Sequence, residues 1–265
     1  MNNRRKLLMT LTLGVFAVTI STANMAQINV NTEIVPTGKL RVGINGSNAT
    51  LFAPAADGSA GGIAAELGKF IAEKLGVPFE PVVYSGAATY TASFGKREWD
   101  IIVTGRNPLA AKLVDFMPDV ILIDYVYIAA PGRDFADPGE VDQAGVKIGV
   151  PRNASADALL SQRIKSADLV RLTGDADTVP ELLRDGKIDL YATGIDSVQR
   201  IADRVPGSRI IGTFETVAFA ISTAKGWSPA AQSKLTTLVN EAKAAGIVQK
   251  AIEKSGRKGV RAAPD

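Results

Sequence analysis

Two segments of this 265-residue chain place polar side chains directly behind short apolar runs. Arg106 follows the apolar run 101–103, and a guanidinium at that position could clamp a carboxylate through two parallel hydrogen bonds. Asn153 and Ser155 follow the apolar run 146–150, at the predicted start of a helix. Free backbone N–H groups at a helix start bind anions. We therefore expect these two segments to hold an acidic group of a small ligand between them.

The full set of candidate ligand-binding residues shares this placement at, or just beyond, the ends of predicted strands: Asn45, Asn48, Phe52, Tyr84, Thr104, Gly105, Arg106, Asn153, Ser155, Thr193 and Asp196. Each key residue also has a purely structural interpretation. Asn48 suits a turn, Phe52 could pack in the core, and Arg106 could be a solvated loop residue. Ser155 could simply cap its helix, and Asp196 could cap the helix that follows it.

The composition excludes several kinds of site. The chain has no Cys and no His, which rules out disulfides, thiolate or imidazole zinc sites, Ser-His-Asp triads and Cys nucleophiles. We expect no metal and no cofactor. Of the 30 basic residues, three stand at positions 4–6, which leaves 27 basic residues against 27 acidic ones. The remaining charges are scattered rather than clustered, so no nucleic-acid partner is expected.

The first 23 residues have the layout of a secretory signal peptide. Arg4, Arg5 and Lys6 precede Leu7–Ile20, a mostly apolar run of 14 residues, short of the roughly 20 that span a bilayer. Small residues follow, so cleavage is expected after Ala23, with Ala26 as the alternative. A membrane anchor and a twin-arginine signal are the other interpretations. With no Cys to carry a lipid anchor, the sequence predicts a periplasmic protein.

The rest of the chain alternates strands and helices, which predicts an α/β fold with mainly parallel sheets. Predicted strands cover residues 40–44, 79–84, 100–103, 146–150, 188–192 and 214–222, a further strand begins at 169–170, and a long apolar run covers 121–130. Helices lie between them: apolar residues recur at helical spacing from Ile63 up to Gly76, and a last helix begins at Ser228 and is broken at Gly246. Breakers at Pro131-Gly132 and at 206–212 bracket a middle block. A second lobe inserted into a first would explain that bracketing.

Six blocks, taken in order, resemble the family 3 (amino-acid-type) extracellular solute-binding proteins of bacterial ABC importers: Gly38–Gly43, Gly62–Val77, Lys96–Val103, Lys112–Phe116, Gly145–Val150 and Leu182–Asp189. The resemblance implies a two-lobed, type II periplasmic binding protein fold with two hinge crossovers and a ligand cleft between the lobes. It divides the chain into residues 24–130 with 217–265 (lobe 1) and 131–216 (lobe 2). It also implies a monomer that binds a small ligand and an inner-membrane ABC permease.

The chain departs from the family pattern at the residues that recognise a free α-amino acid. Ala110 stands where the family has the arginine that binds the α-carboxylate, and Gly194 stands where it has the aspartate for the ammonium group. In the first loop, Asn48 replaces the usual acidic residue, and Phe52 fits the aromatic. A ligand that is an amino-acid derivative or an organic acid therefore fits at least as well.

Two other functions compete with a transport receptor. The periplasmic cyclohexadienyl dehydratases resemble this family in fold, and a dehydration needs a general acid. The carboxylates available for it are Glu66, Asp196 and Glu215. An accessory protein that docks on a periplasmic dehydrogenase is the third function, and an exposed apolar patch would favour it. We expect a binding protein rather than an enzyme.

Overall fold

The computed structural model describes residues 30–55, 57–173 and 176–264. The predicted signal peptide and its cleavage site lie outside these residues. Eleven strands are present in the described part: β1 Leu40–Asn45, β2 Ala53–Pro54, β3 Ala60–Gly61, β4 Phe79–Tyr84, β5 Ile101–Gly105, β6 Val114–Ala129, β7 Lys147–Pro151, β8 Asp168–Leu172, β9 Leu190–Gly194, β10 Arg209–Ala224 and β11 Val260–Ala262.

Helices connect and cover the strands: α1 Ile63–Leu75, α2 Ala87–Ala92, α3 Ala110–Leu113, α4 Ser155–Arg163, α5 Val179–Arg184, α6 Ile195–Ala202, α7 Pro229–Ala244 and α8 Ile247–Ser255. Residues 30–34 are also helical. Short 3₁₀ turns occupy Pro138–Glu140 and Ala176–Thr178. Within the described residues, no helix has the length and the hydropathy needed to cross a membrane.

Helix α1 shows how the sequence sets an element and its packing. Ile63, Leu67 and Ile71 recur at helical spacing and are fully buried. Gly76 ends the helix in a left-handed conformation, φ 68°, which glycine adopts without steric cost. At Gly68, a Cβ atom would lie 2.7 Å from Val42 and Phe79, so the absent side chain lets the helix approach the sheet.

The main sheet joins two parallel groups of strands. Its order is β4-β1-β5-β10-β6-β9-β7-β8, with β11 alongside β6, and a separate pair is formed by β2 and β3. Strands β4, β1 and β5 are mutually parallel, as are β9, β7 and β8. The two 16-residue strands β6 and β10 run antiparallel between the groups. The molecule is therefore a two-lobed α/β protein whose lobes share two long crossing strands.

The crossing strands change partners part-way along their length. Strand β6 pairs with β11 at 121–123 and with β9 from Tyr125 onward, and β10 pairs with β5 only from Phe219 onward. The sequence predicted only the apolar stretches 121–130 and 214–222 as parts of these strands. Pro118 within β6 hid its first half, since proline removes a ladder donor. The lobe limits at residues 130 and 216 stay predictions.

Candidate functional site

The carboxyl ends of the parallel strands from both lobes meet around one cavity of about 260 Å³. From the first lobe, the loops after β1 and β4 contribute 45–48 and 85–89. From the second lobe, the loops after β7, β8 and β9 contribute residues within 151–154, 172–179 and 191–197. Ile123 and Tyr125 of the crossing strand β6 complete the wall. Open parallel sheets place ligand sites at this edge, and here two such edges face each other.

A smaller cavity of about 50 Å³ lies beside the first and shares part of its wall. Asn45, Asn48 and Tyr125 line both cavities. Of the sequence-predicted residues, those that line at least one cavity are Asn45, Asn48, Thr104, Gly105, Asn153, Ser155, Thr193 and Asp196. The structure thus brings eight predicted residues from four strand ends to two adjoining cavities between the lobes.

The first loop is shaped by its own asparagines. The Asn45 Oδ1 accepts hydrogen bonds from the backbone N–H and the hydroxyl of Ser47, at 3.1 and 2.8 Å. The Asn48 Oδ1 accepts from the N–H groups of Thr50 and Leu51, at 3.0 and 3.1 Å. Both residues build turns, as Asn side chains commonly do. Both also line the cavities, so the turn positions them at the wall.

Three predicted residues lie elsewhere, and the structure corrects their assignment. Phe52 packs against the main core instead of the cavity. The Tyr84 hydroxyl donates to Glu98 at 2.8 Å, and its ring packs edge-on against Tyr90 with centroids 5.9 Å apart. Neither residue lines the cavities of the described chain. Their aromatic rings are used in packing, which leaves them out of ligand contact in this conformation.

Arg106, the residue expected to clamp a carboxylate, is the third, and it is turned away from the cavity. Its Nε lies 2.5 Å from the Asp119 Oδ1, and its Nη2 donates to the Met117 carbonyl oxygen at 2.9 Å. The guanidinium also stacks 4.7 Å above the centre of the Phe116 ring. All three partners lie on β6. Because these three groups already bind the guanidinium, it is not available to a ligand in the cavity in this conformation.

The structure also corrects the helix-cap interpretations. Helix α4 is preceded by Ala154, with no side-chain cap hydrogen bond, so neither Asn153 nor Ser155 caps it. Asn153 adopts φ 61° and turns the chain from β7 into the helix, a conformation that Asn tolerates. Helix α6 likewise has no side-chain cap at Gly194. Asp196 is therefore free of that role.

Two hydrogen bonds join the lobes directly at the edge of the site. The buried Thr50 hydroxyl donates to the Asp196 Oδ2 at 2.6 Å, and both residues are at most 2% exposed. The Asn107 amide donates to the Ser155 hydroxyl at 3.1 Å. A Cβ atom on Gly105 would lie 2.6 Å from that hydroxyl, so the lobes are in close contact there. The conformation is closed around the cavity.

The charges of the wall are few. Among the described residues that line the larger cavity, Arg152 carries the positive charge and Asp196 the negative one. Burial raises the pKa of Tyr125 and of Tyr191, so their hydroxyls stay neutral hydrogen-bond donors. No group of three or more potential metal ligands occurs within the described ranges. The wall suits a small polar solute.

Sequence reasoning missed Arg152 and the loop 85–89. The signal that singled out Arg106, a position just behind a strand end, applies equally to Arg152, which follows β7 directly. The loop 85–89 follows β4 in the same way. A position directly after a predicted strand is therefore the sequence signal that marks both.

No protein-family model matches the chain, and no curated relative matches it. Several solved structures, however, are similar to it in fold. A solute receptor for L-cysteine from Neisseria gonorrhoeae is 21% identical, covers 85% of this chain and 92% of its own, and gives a TM-score of 0.72. The chain has the two-lobed type II periplasmic binding protein fold. EhuB in complex with hydroxyectoine is 19% identical over 87% of this chain and 93% of its own, with a TM-score of 0.71.

An ancestral amino acid-binding protein, AncCDT-1, described as a precursor of cyclohexadienyl dehydratase, shares the binding protein fold. It is 19% identical, covers 84% of this chain and 97% of its own, and gives a TM-score of 0.70. Because the identities are near 20%, these similarities show a shared fold. The resemblance seen in the sequence blocks is confirmed at that level, since the similar structures include a solute receptor for L-cysteine and proteins described as an ABC transporter binding component and an amino acid ABC transporter substrate-binding protein.

Proposed function

We propose that the chain is a periplasmic receptor that captures one small polar solute between its lobes and delivers it to an inner-membrane ABC permease. The observation that carries this is the cavity of about 260 Å³, enclosed by strand ends of both lobes that also touch each other. Its volume is just below the roughly 300–1,000 Å³ of typical ligand pockets. A solute of amino-acid size fits such a space.

The lining supports a polar ligand with a small apolar part. The wall includes the following hydroxyl and amide side chains: Asn45, Ser47, Asn48, Ser85, Thr89, Thr173, Thr193 and Ser197. Leu172 and Val179 add an apolar surface at the second-lobe end. An amino-acid derivative or an organic acid carries both kinds of group. The arginine and aspartate of the usual α-amino acid site are replaced by Ala110, which is buried, and Gly194.

Closure follows from the two crossing strands. We assign residues 24–130 with 217–265 to the first lobe and 131–216 to the second, and the hinge to β6 and β10. Small changes in these strands would separate the lobes and open the cavity, as in hinge-bending domain closure. The monomer would then present two states to the permease, open and closed.

The dehydratase function rests on the likeness to AncCDT-1 and on one carboxylate. Glu66 pairs with Lys69 on α1, and Glu215 pairs with Arg163, and neither lines the cavities of the described chain. Asp196 does line the larger cavity, where it accepts the Thr50 hydroxyl. The docking function would be favoured by an exposed apolar patch. Among the described residues, the exposed large apolar side chains are Val83, Leu113 and Ile210, which lie on three different elements and do not belong to one strand or helix.

The test begins with native mass spectrometry of the periplasmic protein, which reports any retained solute. The protein is then freed of ligand by unfolding and refolding, and screened by thermal shift and small-angle scattering against amino acids, their derivatives and organic acids. One solute should bind at a ratio of one to one, compact the protein and raise its Tm. Solute at a concentration one hundred times its Kd should raise the free energy of unfolding by about 2.7 kcal/mol. Absence of any binding contradicts the proposal, and turnover of a bound compound favours the dehydratase function.

A further inference from the structure

Arg152 is an exposed residue in the lining of the larger cavity, and its guanidinium carries one positive charge. Within the described residues the guanidinium makes no hydrogen bond and no ion pair, although it lies at the cavity wall. Of the other second-lobe arginines, Arg171 pairs with Asp157 at 2.8 Å and Arg163 pairs with Glu215, whereas the exposed Arg200 also makes no hydrogen bond or ion pair with a described residue, but lies outside the cavity lining. Arg152 is thus an exposed positive charge at the cavity wall with no acidic partner among the described residues.

The backbone holds Arg152 in this place. Its N–H donates to the Leu172 carbonyl oxygen at 2.8 Å, which ties the end of β7 to the end of β8. The left-handed turn at Asn153 then leads into α4, so the first-turn N–H groups of that helix stand close by. Asp157 in that turn is neutralised by Arg171 and by the Asn153 N–H. The second-lobe end of the cavity is therefore electropositive.

We infer that Arg152 binds an acidic group of the ligand and that the transported solute belongs to the small carboxylates or related oxyanions. The inference rests on the proposed receptor function and deepens it by naming the ligand class and the residue that selects it. The acid is held by the second lobe, because the first lobe has no arginine available for it: Ala110 stands at the usual arginine position, and Arg106 is paired with Asp119. A planar guanidinium matches a carboxylate through two parallel hydrogen bonds.

Asp196 restricts how such an acid can lie. Its buried carboxylate is the one negative charge among the described lining residues, and it would repel an acidic group placed beside it. The acid must therefore point toward Arg152, and the part of the ligand near Asp196 must offer a hydrogen-bond donor. The cavity thus selects both the charge and the orientation of its ligand.

The experiment compares matched acid and amide probes, in which the amide member carries no carboxylate: succinate with succinamide, and N-acetylglycine with its amide. Thermal shift and calorimetry are run on the parent, Arg152→Gln, Arg152→Lys and Arg200→Gln. Arg200→Gln is the control, since Arg200 is an exposed arginine outside the cavity lining and its loss changes the net charge equally. Circular dichroism verifies that each variant is folded.

We expect the parent to bind acid members in preference to their amides. Arg152→Gln should weaken acid binding about tenfold to a hundredfold, Arg152→Lys should recover part of it, and Arg200→Gln should leave it unchanged. Amide binding that equals or exceeds acid binding in the parent overturns the inference but keeps the receptor function. Acid binding by Arg152→Gln that is as tight as in the parent also overturns the inference alone. If the parent binds a solute without an acidic group from the wider screen and none of the acids, the inference is overturned and the receptor function stands; if neither the probes nor the wider screen binds, both fail.

Discussion

Replacing Thr50 by Val tests whether the buried contact between the lobes stabilises closure. In the closed structure the Thr50 hydroxyl donates to the Asp196 Oδ2 at 2.6 Å, across the lobe boundary. Valine matches threonine in shape but cannot donate. The substitution therefore removes one hydrogen bond, leaves the Asp196 carboxylate in place for the ligand, and alters nothing else at the cavity wall.

The magnitude follows from burial and charge. Thr50 is fully buried and Asp196 is 2% exposed, so the carboxylate oxygen loses its partner without gaining bulk water. A hydrogen bond to a charged group contributes about 1.5–3 kcal/mol. Because the two residues belong to different lobes, this cost falls on the closed state alone. If ligand binding requires closure, the apparent Kd should rise about tenfold to a hundredfold.

The assay is calorimetry with the solute that native mass spectrometry identifies, together with small-angle scattering at saturating and subsaturating solute. Thr50→Ser is the matched control, since it keeps the hydroxyl and loses only a methyl group. Thr50→Val should bind more weakly and remain more extended at equal solute, whereas Thr50→Ser should stay close to the parent. Equal Kd values for the parent and a folded Thr50→Val would refute the idea that this contact stabilises closure.

Three further predictions follow from the same geometry. Gly105→Ala should weaken binding and hold the lobes apart in small-angle scattering, because its Cβ would lie 2.6 Å from the Ser155 hydroxyl; binding equal to that of the parent would contradict it. Arg106→Ala should leave the Kd unchanged within about twofold in calorimetry, because this guanidinium pairs outside the cavity. Hydrogen bonds from Arg261 and Thr216 lower the pKa of Asp124, so the carboxylate should stabilise the fold above about pH 4, its ordinary range, and lose that effect as the pH falls through the lowered pKa. Urea unfolding of Asp124→Asn and the parent should therefore differ at pH 7 and converge in acid.

The elements were predictable wherever local chemistry decides them. Helix α1 begins at Ile63 and ends before Gly76, as its apolar spacing and its glycine predicted. Ser228 caps α7 by accepting from the Ala231 N–H, and Gly246 separates α7 from α8. These signals lie within a few residues of the element they control. The sequence therefore specifies most strands and helices locally.

The crossing strands and the last strand were not predictable in the same way. The first half of β6 and the start of β10 contain proline, glycine and charged residues, and they are strands because they pair with each other over long distances. Strand β11 exists because Val260–Ala262 pairs with β6, and Arg261 bonds Asp124 there. Tertiary pairing overrides weak local preference in such segments. The crossing strands, to which we assign the hinge, are thus the part of the fold that the sequence reveals least.

The fate of two arginines shows why site residues are harder to predict than elements. Arg106 and Arg152 each follow the end of a parallel strand, so the sequence places both equally near the cavity. The neighbouring strand decides between them. Beside Arg106, β6 offers the carboxylate of Asp119 and the ring of Phe116, and the guanidinium is bound there. Arg152 meets the Leu172 backbone and no acid among the described residues, so its charge remains for the ligand. A strand end positions a side chain near the site, but the partners on adjacent strands determine whether its charge is available.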